Sequence, residues 1–116
     1  MKLRLMLLSL AAAVGLTFAS VALPQSHATA ATITVTAKEF KFVLSSKTVK
    51  HGVVTFKVKN AGHLGHDFKI SGKKTAVIAP GKTATLKVTL SKGSKGYMCT
   101  VAGHAAAGMK GTLKVT

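Results

Sequence analysis

The amino-acid sequence predicts an all-β domain, an antiparallel sandwich or barrel, from three observations. Apolar residues alternate with threonine or lysine in short runs, which is the period of a strand that buries one face. Turn-forming residues separate these runs at short, regular intervals. No helical period is visible after residue 30, where residues 105–109 could form one short turn. These features are typical of small all-β folds.

The alternating runs and the turns between them give the expected order of elements. The residues expected to face inward are Ile33 and Val35, then Phe40, Phe42 and Leu44, then Val54, Phe56 and Val58, then Leu86, Val88 and Leu90, and finally Leu113 and Val115. The turns contain His51-Gly52, Asn60-Ala61-Gly62, Ser71-Gly72, Pro80-Gly81 and Lys92-Gly93. Threonine favours strands, and outward lysine discourages edge-to-edge aggregation. We expect every phenylalanine after residue 30 to lie in the core, namely Phe40, Phe42, Phe56 and Phe68.

Residues 1–30 have the features of a secretory signal peptide. Lys2 and Arg4 give a positive start, residues 5–23 are mostly apolar, and Ala28-Thr29-Ala30 is a small-residue cleavage site. We predict cleavage after Ala30, which leaves one domain over residues 31–116 in an exported, periplasmic protein. A retained membrane anchor is the alternative for this segment, but Pro24 and scattered polar residues interrupt the apolar run. Secretion or the cell surface is the alternative location.

The chain is strongly basic. It has 17 lysines and arginines against two acids, and a formal net charge of +15. Lys2 and Arg4 lie in the predicted leader, so every basic residue after Ala30 apart from histidine is a lysine. This charge favours encounters with acidic proteins and loose association with anionic surfaces. Nucleic acid is not an expected partner, because arginines for bidentate base recognition are missing and aromatic residues are few. We expect a monomer.

Cys99 is the only cysteine, so the chain cannot form an internal disulfide. Taken alone, Cys99 could be an inert buried thiol, part of an intermolecular disulfide, or a metal-bound thiolate. His104 and Met109 follow it at intervals of five residues, and His66 can supply a second imidazole. Two imidazoles, a thiolate and a weak axial thioether describe a type 1 blue copper site, which transfers single electrons. The sequence therefore predicts one copper ion bound by His66, Cys99, His104 and Met109.

Strand register indicates how the first two of these residues could meet. His66 shares a face with Phe68 and Ile70, which are apolar and should point inward. Cys99 shares a face with Tyr97 in a later run. We therefore expect His66 and Cys99 to be buried at one end of the sandwich, with the loop after Cys99 folding back over them.

Three further residues of suitable chemistry are assigned other roles. Met98 faces away from Cys99 and is expected to pack in the core. His51 sits in a turn and His63 in the loop before His66. We expect both histidines to lie at the surface, with an alternative or transient copper ligand as the second reading of His63.

These motifs resemble the cupredoxin family, the small blue copper proteins related to plastocyanin, pseudoazurin and azurin, over essentially the whole chain after residue 30. The shared features are Asn60-Ala61-Gly62 before His66-Asp67-Phe68, Pro80-Gly81 before an alternating strand, Tyr97-x-Cys99, and the loop Cys99-x₄-His104-x₄-Met109. The resemblance implies a Greek-key β-sandwich or barrel of about seven to eight strands. It also implies one copper ion per chain.

The resemblance gives each candidate ligand a role. His66 would bind through one imidazole nitrogen, and Cys99 would form the short thiolate bond that makes the site blue. His104 would be the imidazole nearest solvent, and Met109 would be the long axial thioether. Nearby residues would support these ligands by hydrogen bonds.

The supporting residues and one departure can also be identified. Asp67 and Thr100 stand where members of the family hydrogen-bond across the two ligand loops. The carbonyl of Gly65 stands where a carbonyl approaches the metal weakly in some members. Ala102 replaces a proline found in many relatives with this loop, which implies a more mobile loop.

The resemblance implies a one-electron carrier that cycles between Cu(I) and Cu(II) and exchanges electrons with an acidic redox partner, such as a cytochrome or an oxidase. We do not expect an enzyme, because multicopper oxidases and copper nitrite reductases need additional copper sites and more histidines. The alternative is a copper chaperone or storage module without an electron-transfer role.

Overall fold

The structure is a computed structural model that describes residues 30–116 and, before them, only Gly15 and Thr17. Apart from those two residues and Ala30, the predicted signal peptide of residues 1–30 lies outside the described residues, so the leader and its cleavage stay predictions. Among the described residues, no helix has the length and apolar character needed to cross a membrane.

The described residues form two β-sheets that pack face to face. The strands are β1 (Ala31–Lys38), β2 (Lys41–Leu44), β3 (Thr48–Val49), β4 (Gly52–Asn60), β5 (Lys69–Ile70), β6 (Lys73–Lys74), β7 (Thr83–Leu90), β8 (Gly93–Met98) and β9 (Lys110–Val115). One sheet has the order β2-β1-β4-β7, and the other has the order β3-β9-β8-β5-β6. The predicted all-β sandwich is confirmed. The described residues form nine strands rather than the expected seven to eight, because the count includes three strands of only two residues each, β3, β5 and β6.

Two strand pairs are parallel, which corrects the expectation of a purely antiparallel fold. β1 pairs with β4 in parallel, with Val35 opposite Val58, and β3 pairs with β9 in parallel. After β2 the chain crosses to the second sheet as β3 and returns to the first as β4, which allows β4 to run in the direction of β1. Alternation in a sequence specifies which face of a strand is buried but not the direction of its neighbour.

The core lies between the sheets and follows the predicted alternation. In β4, the side chains of Val54, Phe56 and Val58 are completely buried. Phe68, just before β5, packs against Phe56 with ring centroids 5.1 Å apart and stacks on Tyr97 at 5.6 Å. Burial of this apolar surface is the main favourable term for a domain of this size.

Two residues expected in the core are exposed. Phe40 is 39% exposed because it lies in the turn between β1 and β2, where the alternation of the strand has not begun. Met98 is also 39% exposed. Its orientation away from Cys99 was predicted correctly, but the outer face of this sheet is covered by no further layer within the described part of the chain.

One end of the sandwich gathers the segments that carry the candidate ligands. β1 and β4 end together there, with Ala37 paired to Asn60. β8 ends and β9 begins at the same place, with Met98 paired to Lys110. The loop of residues 61–68 and the loop of residues 99–109 therefore emerge side by side from the two sheets.

The buried face of β4 can be tested with two identical substitutions. Val54→Ala and Val43→Ala remove the same atoms, but Val54 is fully buried and Val43 is 52% exposed. We expect Val54→Ala to lower the free energy of unfolding by about 2 kcal/mol, from lost apolar transfer and a residual cavity. Val43→Ala should change it by about 0.5 kcal/mol or less. Urea unfolding of the metal-free protein measures both values, and equal losses would contradict the assigned inner face.

Candidate metal centre

Three of the four predicted ligands meet at this end of the sandwich. One ligand atom each from His66, Cys99 and His104 lies within 4.8 Å of the others, and all three residues are buried. The two imidazole Nδ1 atoms are 3.1 Å apart, and the Cys99 sulfur is 3.6 Å from the Nδ1 atom of His104. A convergence of two ring nitrogens and one sulfur is the arrangement expected around a single metal ion.

Met109 lies beside this group. It is completely buried and packs with Cys99 and Ala37 in a small apolar cluster that is separate from the main core. Phe42 and Val101 cover the cluster. Met109 is thus packed against the same cluster as Cys99, as an axial ligand would need to be.

The loop before His66 is held by an asparagine. The Asn60 side-chain amide donates to the carbonyls of Leu64 and Ile78, both at 2.7 Å, and its oxygen accepts the N–H of Gly62 at 2.9 Å. His66 forms a two-way backbone bridge with Ile78, at 3.2 and 2.7 Å. Because Asn60 is fully buried and its side-chain bonds are satisfied, the loop has one well-determined path.

The loop from Cys99 to Met109 is closed by its own backbone. The N–H of Cys99 donates to the carbonyl of Met109 at 3.0 Å, and the N–H of Met109 donates to the carbonyl of His104 at 3.1 Å. Gly103 and Gly108 have φ angles of 81° and 111°, in the left-handed region that favours glycine. The loop therefore returns His104 and Met109 to the cysteine.

The expected hydrogen bonds across the two ligand loops are present. The carboxylate of Asp67 accepts the backbone N–H of Thr100 at 2.5 Å and also accepts the Thr100 hydroxyl. Asp67 follows His66 and Thr100 follows Cys99, so this link sets the spacing of an imidazole and the thiol. Thr100 and Asp67 contribute no atom to the cluster of candidate ligand atoms.

Burial keeps the thiol neutral before a metal binds. Desolvation is the largest effect on Cys99 and raises the pKa of its thiol. A metal ion that binds here must displace the thiol proton, so binding is coupled to proton release.

Glu39, which lies in the turn between β1 and β2, was not predicted to belong to the site. Its carboxylate accepts the backbone N–H groups of His63 and Leu64 at 2.6 and 2.7 Å, and its Oε1 lies 3.3 Å from Nε2 of His66. The hydrogen bond from the Leu64 backbone is the main cause that lowers the pKa of Glu39 from 4.5 to about 2. The sequence contained one indication that Glu39 matters for the site. The chain has only two acidic residues, and the other one, Asp67, directly follows the candidate ligand His66.

The remaining predictions concern residues around the cluster. Phe40, misassigned to the core, places its ring edge-on to His104 with centroids 5.2 Å apart. His51 and His63 are exposed, as expected. Gly65 packs against Val77, and the predicted approach of its carbonyl to a metal stays a prediction.

The two-sheet fold and the buried donor cluster together define a small metal-binding β-sandwich protein. The sequence model of the copper-binding proteins of the plastocyanin/azurin family matches residues 25–116. The chain belongs to this family. The soft and borderline donors of His66, Cys99 and His104, with Met109 beside them, fit a type 1 copper ion. Copper is therefore the cofactor, while ligation by each of the four residues stays a prediction.

Solved structures share this fold. Dithionite-reduced auracyanin from Roseiflexus castenholzii has 19% identity and a TM-score of 0.61, over 77% of this chain and 98% of that one. Auracyanin A, a "blue" copper protein from Chloroflexus aurantiacus, has 21% identity and a TM-score of 0.63, over 75% and 99%. A Cu-containing nitrite reductase from Thermus scotoductus has 19% identity and a TM-score of 0.59, over 74% of this chain and 27% of that one. A search of curated protein sequences gave no significant match.

The Asp67–Thr100 link can be tested in the metal-free protein. Asp67→Ala removes both hydrogen bonds and leaves the Thr100 N–H without its acceptor, so we expect the free energy of unfolding to fall by about 1–3 kcal/mol. Asp67→Asn keeps a side-chain oxygen for that N–H and should lose less. Urea unfolding measures both variants. A midpoint for Asp67→Ala equal to that of the wild type would show that the link does not stabilise the fold.

Proposed function

We propose that this protein is an exported one-electron carrier whose single type 1 copper ion cycles between Cu(I) and Cu(II). The observation that carries the proposal is the buried cluster of His66, Cys99 and His104, with ligand atoms within 4.8 Å of one another. Copper bound there would supply the one-electron change. Membership of the plastocyanin/azurin family and the likeness to auracyanin folds support this kind of protein.

The packing of the cluster suits repeated electron transfer. Cu(I) favours soft, low-coordinate sites, and Cu(II) favours tetragonal nitrogen and oxygen ligands. A site of two imidazoles, a thiolate and a thioether is intermediate between these two and can accommodate both oxidation states. His66, Cys99 and Met109 are completely buried, and hydrogen bonds fix both ligand loops. A site held in this way needs little rearrangement when the oxidation state of the metal changes.

His104 is the proposed point of electron exit. It is 8% exposed, whereas the other three predicted ligands are completely buried. Its ring meets the edge of Phe40, which is itself partly exposed. An electron leaving through His104 would therefore cross only a thin layer of protein.

Exposed apolar side chains around this exit form a surface suited to docking, here called the apolar rim and made of Phe40, Leu64 and Val77. They are 39%, 47% and 63% exposed. Phe40 contacts His104, the Leu64 backbone binds Glu39, and Val77 packs against Gly65, so all three border the ligand loops. With an excess of lysine over the whole chain, the occupant we propose is an acidic redox protein such as a cytochrome or an oxidase, in brief encounters.

The proposal favours a carrier over an enzyme or a copper store. The chain spans 27% of the length of the nitrite reductase that shares its fold, so it corresponds to one part of that enzyme. A storage or chaperone protein remains the second candidate. Electrochemistry distinguishes the electron carrier from the storage or chaperone protein, because a carrier gives fast, reversible one-electron waves.

The copper centre predicts a colour that depends on one sulfur. With added Cu(II), the wild-type protein should absorb intensely in the visible range and show a reversible one-electron wave in cyclic voltammetry. Cys99→Ser should abolish the colour, because a hydroxyl cannot provide the thiolate bond. His63→Ala, which removes an exposed imidazole from the same region, should leave the colour and the wave unchanged. A colourless wild-type complex would contradict type 1 copper, and colour without a reversible wave would favour storage.

Lysine steering predicts a dependence of the electron-transfer rate on salt. With a cytochrome of acidic surface, the bimolecular rate should fall as ionic strength rises, because salt screens the attraction. With a cytochrome of basic surface, the rate should rise instead. Stopped-flow measurements over a series of salt concentrations test both directions. A flat profile with the acidic cytochrome would reject steering by the lysines.

A further inference from the structure

The chain has only two acidic residues, and both lie against the metal centre. Asp67 links the two ligand loops, as described above. We infer that Glu39 is a positioning residue for His66: its carboxylate holds the ring proton on Nε2, leaves Nδ1 for copper, and stabilises Cu(II) relative to Cu(I) by its negative charge. This inference rests on the copper centre of the proposed function but does not need the electron-carrier role.

The two nitrogens of His66 face different partners. Nδ1 lies 3.1 Å from Nδ1 of His104, inside the cluster of candidate ligand atoms. Nε2 lies 3.3 Å from Oε1 of Glu39. A neutral imidazole carries its proton on one nitrogen and accepts or binds a metal through the other, and an ionised carboxylate can only accept. When Nδ1 binds copper, Nε2 must therefore keep the ring proton and donate a hydrogen bond to the Glu39 carboxylate.

Glu39 is held in place without help from His66. The backbone N–H groups of His63 and Leu64 both donate to Oε1, at 2.6 and 2.7 Å. The carboxylate also lies so close to Gly62 that any Cβ there would collide with it. The acceptor is therefore fixed by the loop backbone before the imidazole is considered, as a pre-organised site requires.

The position of Glu39 also excludes the role of a direct ligand in this arrangement. Its Oε1 lies at the ring nitrogen opposite the one that faces the cluster. Its charge still acts on the site through the imidazole. A carboxylate that accepts from the outer nitrogen of a metal-bound histidine makes that histidine a stronger donor. A stronger donor and a nearby negative charge both favour the more highly charged Cu(II).

A purely structural role is the competing explanation, in which Glu39 only ties the β1–β2 turn to residues 63 and 64. Glu39→Gln separates the two roles. The amide oxygen of glutamine can still accept the N–H groups of His63 and Leu64, so the tie persists while the charge is lost. Thr89→Lys is the matched control, because it changes the net charge of the protein by the same amount as Glu39→Gln. Thr89 is an exposed residue of β7 near the opposite end of the sandwich.

The experiment measures the reduction potential of the copper-loaded variants by voltammetry. Loss of a residue that hydrogen-bonds to a metal ligand typically costs 10- to 100-fold in metal affinity. We expect Glu39→Gln to lower the ratio of Cu(II) to Cu(I) binding constants about tenfold, which raises the potential by about 59 mV. Thr89→Lys should leave the potential at its wild-type value. If Glu39→Gln shifts the potential no more than Thr89→Lys does, the inference is wrong.

A second measurement uses the wild-type protein and does not depend on how a variant folds. In the metal-free protein, where no copper occupies Nδ1, ¹⁵N NMR of neutral His66 should show the ring proton on Nε2, the nitrogen that faces Glu39. A proton on Nδ1 would overturn the inference. Failure of the wild-type protein to give reversible waves would count against the electron carrier, while the NMR result would still decide the role of Glu39.

Discussion

The rest of the metal centre depends on one backbone interaction, the hydrogen bond from the N–H of Cys99 to the carbonyl of Met109. It continues the β8–β9 ladder one step beyond the pair of Met98 and Lys110. With this step in place, the intervening residues must turn back on themselves, and His104 is returned to the cysteine. The positions of the Cys99 sulfur, the His104 imidazole and the Met109 thioether therefore follow from strand pairing. They are as stable as the sheet that sets them.

The two acids show how a strongly basic chain keeps a defined electrostatic structure around this centre. Each carboxylate accepts two backbone or hydroxyl donors at short distance, and neither forms an ion pair with a lysine among the described residues. Asp67 joins the first ligand loop to the second, and Glu39 joins the first ligand loop to the β1–β2 turn. Positive charge can then vary over the surface with little effect on the positions of the donor atoms.

The sequence was sufficient for the sandwich and for its inner face, because period-two alternation reports burial directly, as in Val54, Phe56 and Val58. It was also sufficient to propose the candidate ligands, because sulfur and imidazole donors are few in this chain. It could not give the parallel pairing of β1 with β4, since a strand's pattern is the same in either direction. Glu39 and Phe40 were missed because their roles depend on a turn meeting loops 24 or more residues away, a contact that local patterns do not encode.

The complete burial of Cys99 has a consequence for its reactivity under oxidising conditions. A lone thiol in an oxidising compartment is normally at risk of sulfenic acid formation or of cross-linking to a second molecule. Here an attacking reagent would first have to open the loop that ends at Met109. The folded, metal-free chain is thus protected against chemical damage, and its lifetime before it acquires copper is governed by local unfolding rather than by the redox state of its surroundings.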